Sequence, residues 1–406
     1  MIRAKYAGSG KSFISSHMPK ATITTPSNKL CQKFLLDGAM SCTYNKFFGY
    51  DKTGQEHNGF DTTSYDTICF DEILFVDMFA LSKVQKYIYH SNKFIVATGD
   101  DKQLENFAIS LNNITNKKEY LNKCIDSMFD SHIYLKECKR VKTDADKQKI
   151  VAIYDDIFIN KMDVSNVLTK YFKPTNKIMC DNNITFFNET AEQVATIRRR
   201  QLELEGEYEI DEHILCKHYV KDKKNVFNQN FEYVIHCVFK NEYEIKNVAT
   251  NEIFTISKQL VANNFISAFA STCHSFQGSS VDENITIFDY KCNFITPEWL
   301  YVAITRSTDL NKVYYYNGPN LFSVNVCEFA KRKIAGYKEQ DVKASRPIAN
   351  DYLNVDWFFD CLKSVCYICN EKMSLKTITA DRLNNDLAHT VDNCKPCCLI
   401  CNCTKK

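Results

Sequence analysis

Tyr-Ala-Gly-Ser-Gly-Lys-Ser-Phe, residues 6–13, is the first stretch of this chain with the residue types for chemistry. Two glycines, a lysine and a hydroxyl in this order suit a phosphate cradle. Backbone N–H groups wrap the phosphates, the lysine reaches the β and γ positions, and the serine hydroxyl holds Mg²⁺. Gly8, Gly10, Lys11 and Ser12 fill those places, while Lys5 stands where the pattern opens on glycine. Alone, the stretch also fits an ordinary flexible turn, so its meaning depends on residues further along the chain. Two later stretches bear on it: Phe-Asp-Glu-Ile at 70–73 and Gly-Asp-Asp-Lys-Gln-Leu at 99–104. Adjacent carboxylates divide two tasks well, with Asp71 positioning Mg²⁺ and Glu72 orienting and deprotonating an attacking water.

These residues need elements that present them together. Ala-Thr-Ile-Thr-Thr at 21–25 is a β-branched run that leads through Thr25-Pro26 into a helical pattern, a strand-turn-helix unit. Apolar runs end in Asp71-Glu72 and in Gly99-Asp100. In open parallel α/β sheets ligands bind at the C-terminal ends of the strands, so the expected class is α/β with the acids on that edge. Residues 1–6 allow only a stub of strand before the cradle and no adenine-recognising segment ahead of it. This suggests a fragment of a longer replication protein or a shortened viral-type start, and few glycines beside many Lys, Asn and Tyr fit an AT-rich genome. Lys5 is tolerable where its backbone is not of the glycine-only kind. Residues 207–258 alternate apolar and polar positions between Asp, Asn and Lys turns, as a small β-hairpin or barrel insert does. Lys217, Lys221, Lys223 and Lys224 within it, and Ile-Arg-Arg-Arg-Gln at 197–201, read as solvated surface and are assigned no role.

Composition bounds the rest. With 406 residues, 45% hydrophobic and 25% charged, the chain can build two or three domains. Lys+Arg 51 against Asp+Glu 49 gives no global basic field, so contact with nucleic acid would need a local groove. No apolar run reaches the roughly 18 residues of a membrane span, and no leader-like segment opens the chain. Of 19 cysteines, eight crowd into residues 361–403 while the others are scattered through apolar runs. That asymmetry suggests a reduced compartment and one C-terminal metal module, not a disulfide framework.

Taken in order, the motifs resemble those of the superfamily 1 helicases, most closely the RecD-like branch and its viral relatives, from residue 5 to residue 317. AGSGKS (7–12) is similar to motif I, TTPSNKLC (24–31) to motif Ia, TYNKFFG (43–49) to the next DNA-contacting motif, FDEI to motif II and GDDKQL to motif III. LKECKRV (135–141) resembles the arginine-bearing motif IV, STCHSFQGSSVD (271–282) motif V and YVAITRSTDL (301–310) motif VI. The resemblance implies two RecA-like lobes that sandwich ATP, with Lys11, Asp71, Glu72, Gln103, Arg140 and Arg306 catalytic. It places Gly8, Gly10, Lys11, Ser12, Gln277 and Gly278 on the nucleotide, and Ser12 and Asp71 on Mg²⁺. Thr25, Pro26, Ser27, Thr43, Tyr44, Thr272 and His274 fall on the nucleic-acid strand, His274 fitting a buried histidine as well. Phosphoryl transfer depends on positioning and charge stabilisation, so Arg140 and Arg306 reaching across the cleft would complete the site only when the lobes close. Such helicases carry a small β-barrel where the insert lies, and the resemblance implies 5′→3′ movement on DNA.

The tail offers a second chemistry. Cys366-x-x-Cys369 and Cys398-x-x-Cys401 have the knuckle spacing for tetrahedral Zn²⁺, with Cys394 and Cys397 the rival second pair and Cys403 a spare thiol. ADRLNND (380–386), AHTVDN (388–393) and CLICN (398–402) resemble zinc-bound HNH or endonuclease VII-type modules, and the last match favours Cys398 and Cys401 as ligands. Such nucleases need a histidine base and a carboxylate or amide to hold a metal. Arg382 stands where that base usually sits. His389 is the nearest substitute and Asp381 and Asn393 could bind metal, so a binding module without cleavage is expected.

The expected organisation is a first RecA-like lobe at 1–137, a second at 138–320 with the insert, a helix and polar linker at 321–360, and a zinc-binding HNH-like module at 361–406. The expected function is an ATP-dependent helicase or translocase of replication or repair, viral replication included, using ATP, Mg²⁺ and Zn²⁺. The alternatives are a helicase-nuclease fusion and a zinc nucleic-acid-binding protein with inactive lobes. Expected partners are single-stranded or junction DNA, with RNA left open, and other replication proteins or an upstream domain of the same polypeptide. No membrane is expected, and the setting is intracellular and reduced: cytoplasm, nucleus or a viral replication site.

Overall fold

Six short runs near the N-terminus become one parallel sheet: β1 (Ile2–Ala4), β2 (Ala21–Thr25), β3 (Met40–Thr43), β4 (Thr67–Phe70), β5 (Phe94–Gly99) and β6 (Ile133–Leu135), in the order β3-β2-β4-β5-β1-β6. The computed structural model describes residues 1–50, 55–100, 102, 117–178, 180–204, 206–222, 225–276, 280–292, 295–319, 321–348, 351–362, 364–375 and 377–404. Three residues suffice for β1 because it is paired on both sides, Ile2 lying opposite Thr98 and Ile133. Lys5 continues that pairing, its N–H donating to the Leu135 carbonyl at 2.9 Å. The lysine in the first cradle position therefore extends the strand, and the turn comes later.

A second parallel sheet follows, built from β7 (Lys173–Thr175) and β8 (Asn182–Thr185) and completed by strands further along the chain. Between β8 and those later strands lies an antiparallel insert: β9 (His213–Cys216), a side hairpin of β10 (Val220–Asp222) and β11 (Asn225–Phe227), then β12 (Glu232–Val238), β13 (Glu242–Asn247), β14 (Ile253–Ser257) and β15 (Phe265–Ser267). Its five-stranded sheet runs β14-β13-β12-β9-β15, so the expected β insert continues to Ser267. Alternation drives it: Tyr233, Ile235, Tyr243 and Ile245 turn inward onto Phe227 and Phe265. β16 (Ala270–Thr272), β17 (Ile285–Ile287) and β18 (Val313–Tyr316) then complete the second sheet as β16-β8-β17-β18-β7. The α/β class with two parallel lobes is as expected.

The chain divides into Met1–Asn317 and Gly318–Lys406. In the second unit, the helices Leu321–Lys343 and Val355–Leu362 share one core with the hairpin of β19 (Ile378–Arg382) and β20 (Cys394–Cys398) and the closing helix Leu399–Thr404. Residues 321–360, expected as a helix and linker outside the tail module, contribute Val326, Ala330, Tyr337, Leu353 and Phe358 to that core. No helix among the described residues is long and apolar enough to cross a membrane.

Candidate functional site

Gly8 and Gly10 make the cradle's turn, with φ of +73° and +92°. Both lie in the left-handed region that glycine adopts without penalty. Gly8 has a second constraint: a Cβ there would come within 2.5 Å of the Arg140 Cβ. Gly10 precedes the helix Lys11–Ser16, Lys11 is only 6% exposed, and Ser12 is half-buried beside it. The Lys11 Nζ lies 3.7 Å from the Asp100 carboxylate at the end of β5.

Because β4, β5 and β1 are neighbours, their C-terminal ends bring Asp71, Asp100 and the cradle to one edge. Asp71 is 1% exposed; its Oδ1 accepts the Thr98 hydroxyl at 2.5 Å, and its Oδ2 has no hydrogen-bond partner among the described residues. A buried carboxylate oxygen left unpaired is costly unless a cation completes it. Burial raises the Asp71 pKa, against the pull of the Thr98 hydrogen bond and of Lys11. Glu72 follows in the left-handed conformation, φ 50°, which turns it out of the strand direction. Burial raises its carboxyl to about 7, with Lys11 opposing and Asp71 adding to the rise. A carboxyl so poised is suited to taking a proton near neutrality.

The second lobe reaches this edge through residues far away in sequence. The hydroxyl of Tyr301, on the helix Pro297–Ile304, accepts the Ala7 N–H at 3.1 Å. The Arg140 Nη1 donates to the Thr305 carbonyl, and Lys139 N–H donates to the Gly8 carbonyl at 2.8 Å. Arg306 is 2% exposed, its Nε donating to the Val302 carbonyl at 3.0 Å. Burial lowers both guanidinium pKa values, that of Arg140 to about 9 with Arg306 contributing, while Glu72 and Asp100 partly offset the effect at Arg306. Half-buried Arg140 beside Gly8 and buried Arg306 near Glu72 and Asp100 make an anion-seeking cleft.

The residues expected on a nucleic-acid strand divide into two groups. Thr25 and Tyr44 are buried; Thr25 Oγ1 donates to the Ser27 carbonyl at 3.0 Å, and the Tyr44 hydroxyl donates to the Asp71 carbonyl at 3.1 Å. Both brace the strand ends, Tyr44 stacking on Phe70. Ser27 and Thr43 cap helices, accepting the N–H groups of Leu30 and Lys46, and Pro26 is half-buried between Thr25 and Ser27. Thr272 pairs with the Ser275 hydroxyl at 3.1 Å, and burial lowers the His274 pKa, favouring the neutral ring. Lys29 joins the two sides, its Nζ donating to the Ser275 carbonyl at 2.9 Å. Gln103, Gln277, Gly278, Lys223 and Lys224 lie outside the described residues. Lys217 pairs with Glu192, and Arg198 and Arg199 pair with Asp181 and Glu212, which ties the arginine run into the fold.

In the tail, Cys366, Cys369, Cys398 and Cys401 each offer a sulfur within 4.8 Å of the others. Burial opposes ionisation of Cys366, yet N–H groups of Cys369, Cys398 and Ile368 outweigh it and draw the thiol down to about 6. Cys397 approaches Cys366 to 4.0 Å without joining the four, Cys394 is buried, and Cys403 is exposed. The nuclease-like residues turn inward. Asp341, on the first helix of this unit, receives Arg382 Nη1 at 3.0 Å, the Tyr352 hydroxyl at 2.7 Å, and both the ring Nδ1 and the backbone N–H of His389 at 2.8 and 2.9 Å. His389 stacks on Tyr337, centroids 4.3 Å apart, and burial lowers its pKa. Asp381 accepts the Tyr367 hydroxyl, and the Asn393 amide donates to the Asn384 and Ala388 carbonyls at 3.0 Å. These side chains are engaged in holding the module together.

Sequence reasoning missed Thr98, Tyr301, Lys29 and Asp341. Tyr301 stands within the motif VI-like stretch and Lys29 within the motif Ia-like one, and both could have been marked there; Thr98 and Asp341 carry no local signal.

No family model matches the chain, and no curated protein does. Solved structures do. A crystal structure of Bacteroides Pif1 bound to ssDNA superposes with a TM-score of 0.52 at 14% identity, covering 82% of this chain and 93% of that one. A structure of two coordinating Pif1 helicases, concerned with unwinding at forked dsDNA, gives 0.50 at 15% identity over 77% of this chain and 86% of that one. At such identity the likeness is one of fold: the lobes are built as in these Pif1 structures.

Proposed function

We propose that the chain is an ATP-driven nucleic-acid motor of the superfamily 1 helicase type, acting on single-stranded or junction DNA. One observation carries the reading: Lys11, Asp71, Glu72 and Asp100 converge on one sheet edge that Arg140, Tyr301 and Arg306 of the other lobe also reach. The backbone of residues 8–12 and Lys11 bind the phosphates, and Arg140 and Arg306 stabilise the charge that develops as the terminal phosphoryl leaves. Glu72 holds the attacking water and takes its proton. Asp71, through its unpaired Oδ2, and Ser12 fit Mg²⁺. That ion, when bound, neutralises phosphate charge. The Tyr301–Ala7 hydrogen bond ties the cradle's backbone to the helix that leads into Arg306, so nucleotide state and lobe closure are coupled through one rigid element. The Lys29–Ser275 bridge supports a strand-binding face spanning both lobes. The motifs favour the RecD-like branch, and the Pif1 complexes with ssDNA and forked dsDNA support a DNA track. ATP turnover should rise on adding single-stranded DNA, and absence of hydrolysis with and without it would refute the motor.

The tail adds a zinc-held binding module. Four thiols in two knuckles fit structural Zn²⁺, which supplies folding energy to a segment too small for a large core. Chelation should therefore unfold the second unit and leave the first intact, read by limited proteolysis. Replacing Cys366 and Cys369 by serine should remove one equivalent of zinc. With Arg382 and His389 both held by Asp341, no Mg²⁺-dependent nicking is expected. Robust nicking that vanishes in His389→Ala would make the protein a helicase-nuclease instead.

A further inference from the structure

A β-strand turns successive side chains to opposite faces, so neighbours in sequence do not normally meet one residue on the partner strand. β12 departs from this rule. Ile235 faces Ile245 and Cys237 faces Glu244, which leaves His236 as an extra residue with no opposite number. Such a bulge sets two residues against one and re-aims their side chains. Tyr243 and Ile245 are buried in the core of the insert, so Glu244 between them faces the other way, half-buried, with His236 exposed and Cys237 half-buried beside it. One donor atom from each of the three lies within 4.8 Å of the others. We propose that His236, Cys237 and Glu244 bind one thiophilic divalent cation, Zn²⁺ foremost.

The donor set decides the class of ion. A thiolate with an imidazole selects zinc and its borderline-soft neighbours over Mg²⁺ and Ca²⁺, which prefer all-oxygen shells. Metal–ligand lengths of about 2.0–2.3 Å hold tetrahedral donors roughly 3.3–3.8 Å apart, so side-chain rotation of about 1 Å closes the site. Three protein donors leave a fourth position to water, the open form of a zinc site. Binding forms the metal–sulfur bond and breaks the Cys237 S–H bond, the proton passing to solvent. Cysteine is among the most buried residue types, and the position of Cys237 on the outer face beside histidine and carboxylate is what a ligand requires.

The site is separate from the tail cluster in sequence, in donors and in unit, and it does not depend on the motor reading. The test is Zn²⁺ stoichiometry of the metal-stripped full chain, read by competition with a chromophoric chelator, with Co²⁺ absorption as a second measure. Wild type should take one equivalent more than His236→Ala/Cys237→Ser, in both the native and the Cys366→Ser/Cys369→Ser backgrounds, and Co²⁺ in the latter background should show a single-thiolate charge-transfer band. Glu244→Gln should shift half-saturation to higher Zn²⁺ while leaving the melting temperature of the metal-free protein unchanged. Equal uptake by wild type and His236→Ala/Cys237→Ser would overturn the proposal. Loss of zinc only with the tail cysteines would do the same while leaving the tail reading intact.

Discussion

Glu72→Gln should abolish ATP turnover while sparing nucleotide binding. The substitution keeps the size and hydrogen-bonding reach of the side chain but removes its capacity to accept a proton. General-base assistance is typically worth about 10²–10⁴-fold in rate, so the loss should bring hydrolysis near background. Binding should survive because the proposed phosphate cradle is the backbone of residues 8–12 with Lys11, which the change does not touch. Folding should survive as well. The carboxyl of Glu72 is raised to about 7 in the folded chain, above its ordinary value, so the folded state holds its proton more tightly than the unfolded state. Its contribution to stability therefore falls as pH rises through that interval, and above neutrality the neutral amide should be no less stable than the charged carboxylate. Turnover measured beside binding of a fluorescent nucleotide separates the two effects. Equal turnover in wild type and Glu72→Gln would sink the assignment.

Much of the fold was legible because the chain ends its apolar runs in chemistry. Phe70-Asp71-Glu72 and Gly99-Asp100 read as strand ends at a ligand edge, and the sheet order β4-β5-β1 sets those ends beside the cradle. The insert was legible from alternation, although β15 lay beyond the stretch where it is regular. Leu321–Lys343 was legible as a helix from its inward Val326, Ala330, Ile334 and Tyr337, but what that stripe packs against was not, because the partners lie beyond the polar stretch 338–351. A helix stripe shows that something covers it and not which segment does.

The site was legible where function rests on local spacing and obscure where it rests on partners across the fold. Gly8, Gly10, Lys11 and Ser12 announce a cradle within five positions. Tyr44 sits in a stretch similar to a DNA-contacting motif, yet its ring stacks on Phe70 and its hydroxyl reaches the Asp71 backbone. Asp341 lies in a run of charged residues that reads as solvated, and only the folded unit shows it fully buried among Arg346, Tyr352, Arg382 and His389. A carboxylate taken out of water needs such partners, but nothing in the sequence near Asp341 says where they come from.

Arg306 carries the other large effect. Removal of an arginine finger typically lowers turnover by about 10³-fold or more, because the guanidinium meets charge that exists only as the phosphoryl group departs. Two observations support this role for Arg306: it follows the helix whose Tyr301 holds the Ala7 N–H, and the acids Glu72 and Asp100 of the opposite lobe lie near enough to favour its charge. Its burial complicates the plainest variant, since Arg306→Ala also removes packing. Arg306→Lys keeps a cation and most of the stem but loses the planar fork and the Nε bond to the Val302 carbonyl. Both variants should lower kcat and kcat/KM together with nucleotide affinity nearly unchanged, the lysine variant less severely, which is the signature of a contact made only in the transition state. Melting curves identify any loss that comes from unfolding. If Arg306→Lys and Arg306→Ala both hydrolyse ATP at the wild-type rate with single-stranded DNA present, the two lobes do not form one catalytic cleft.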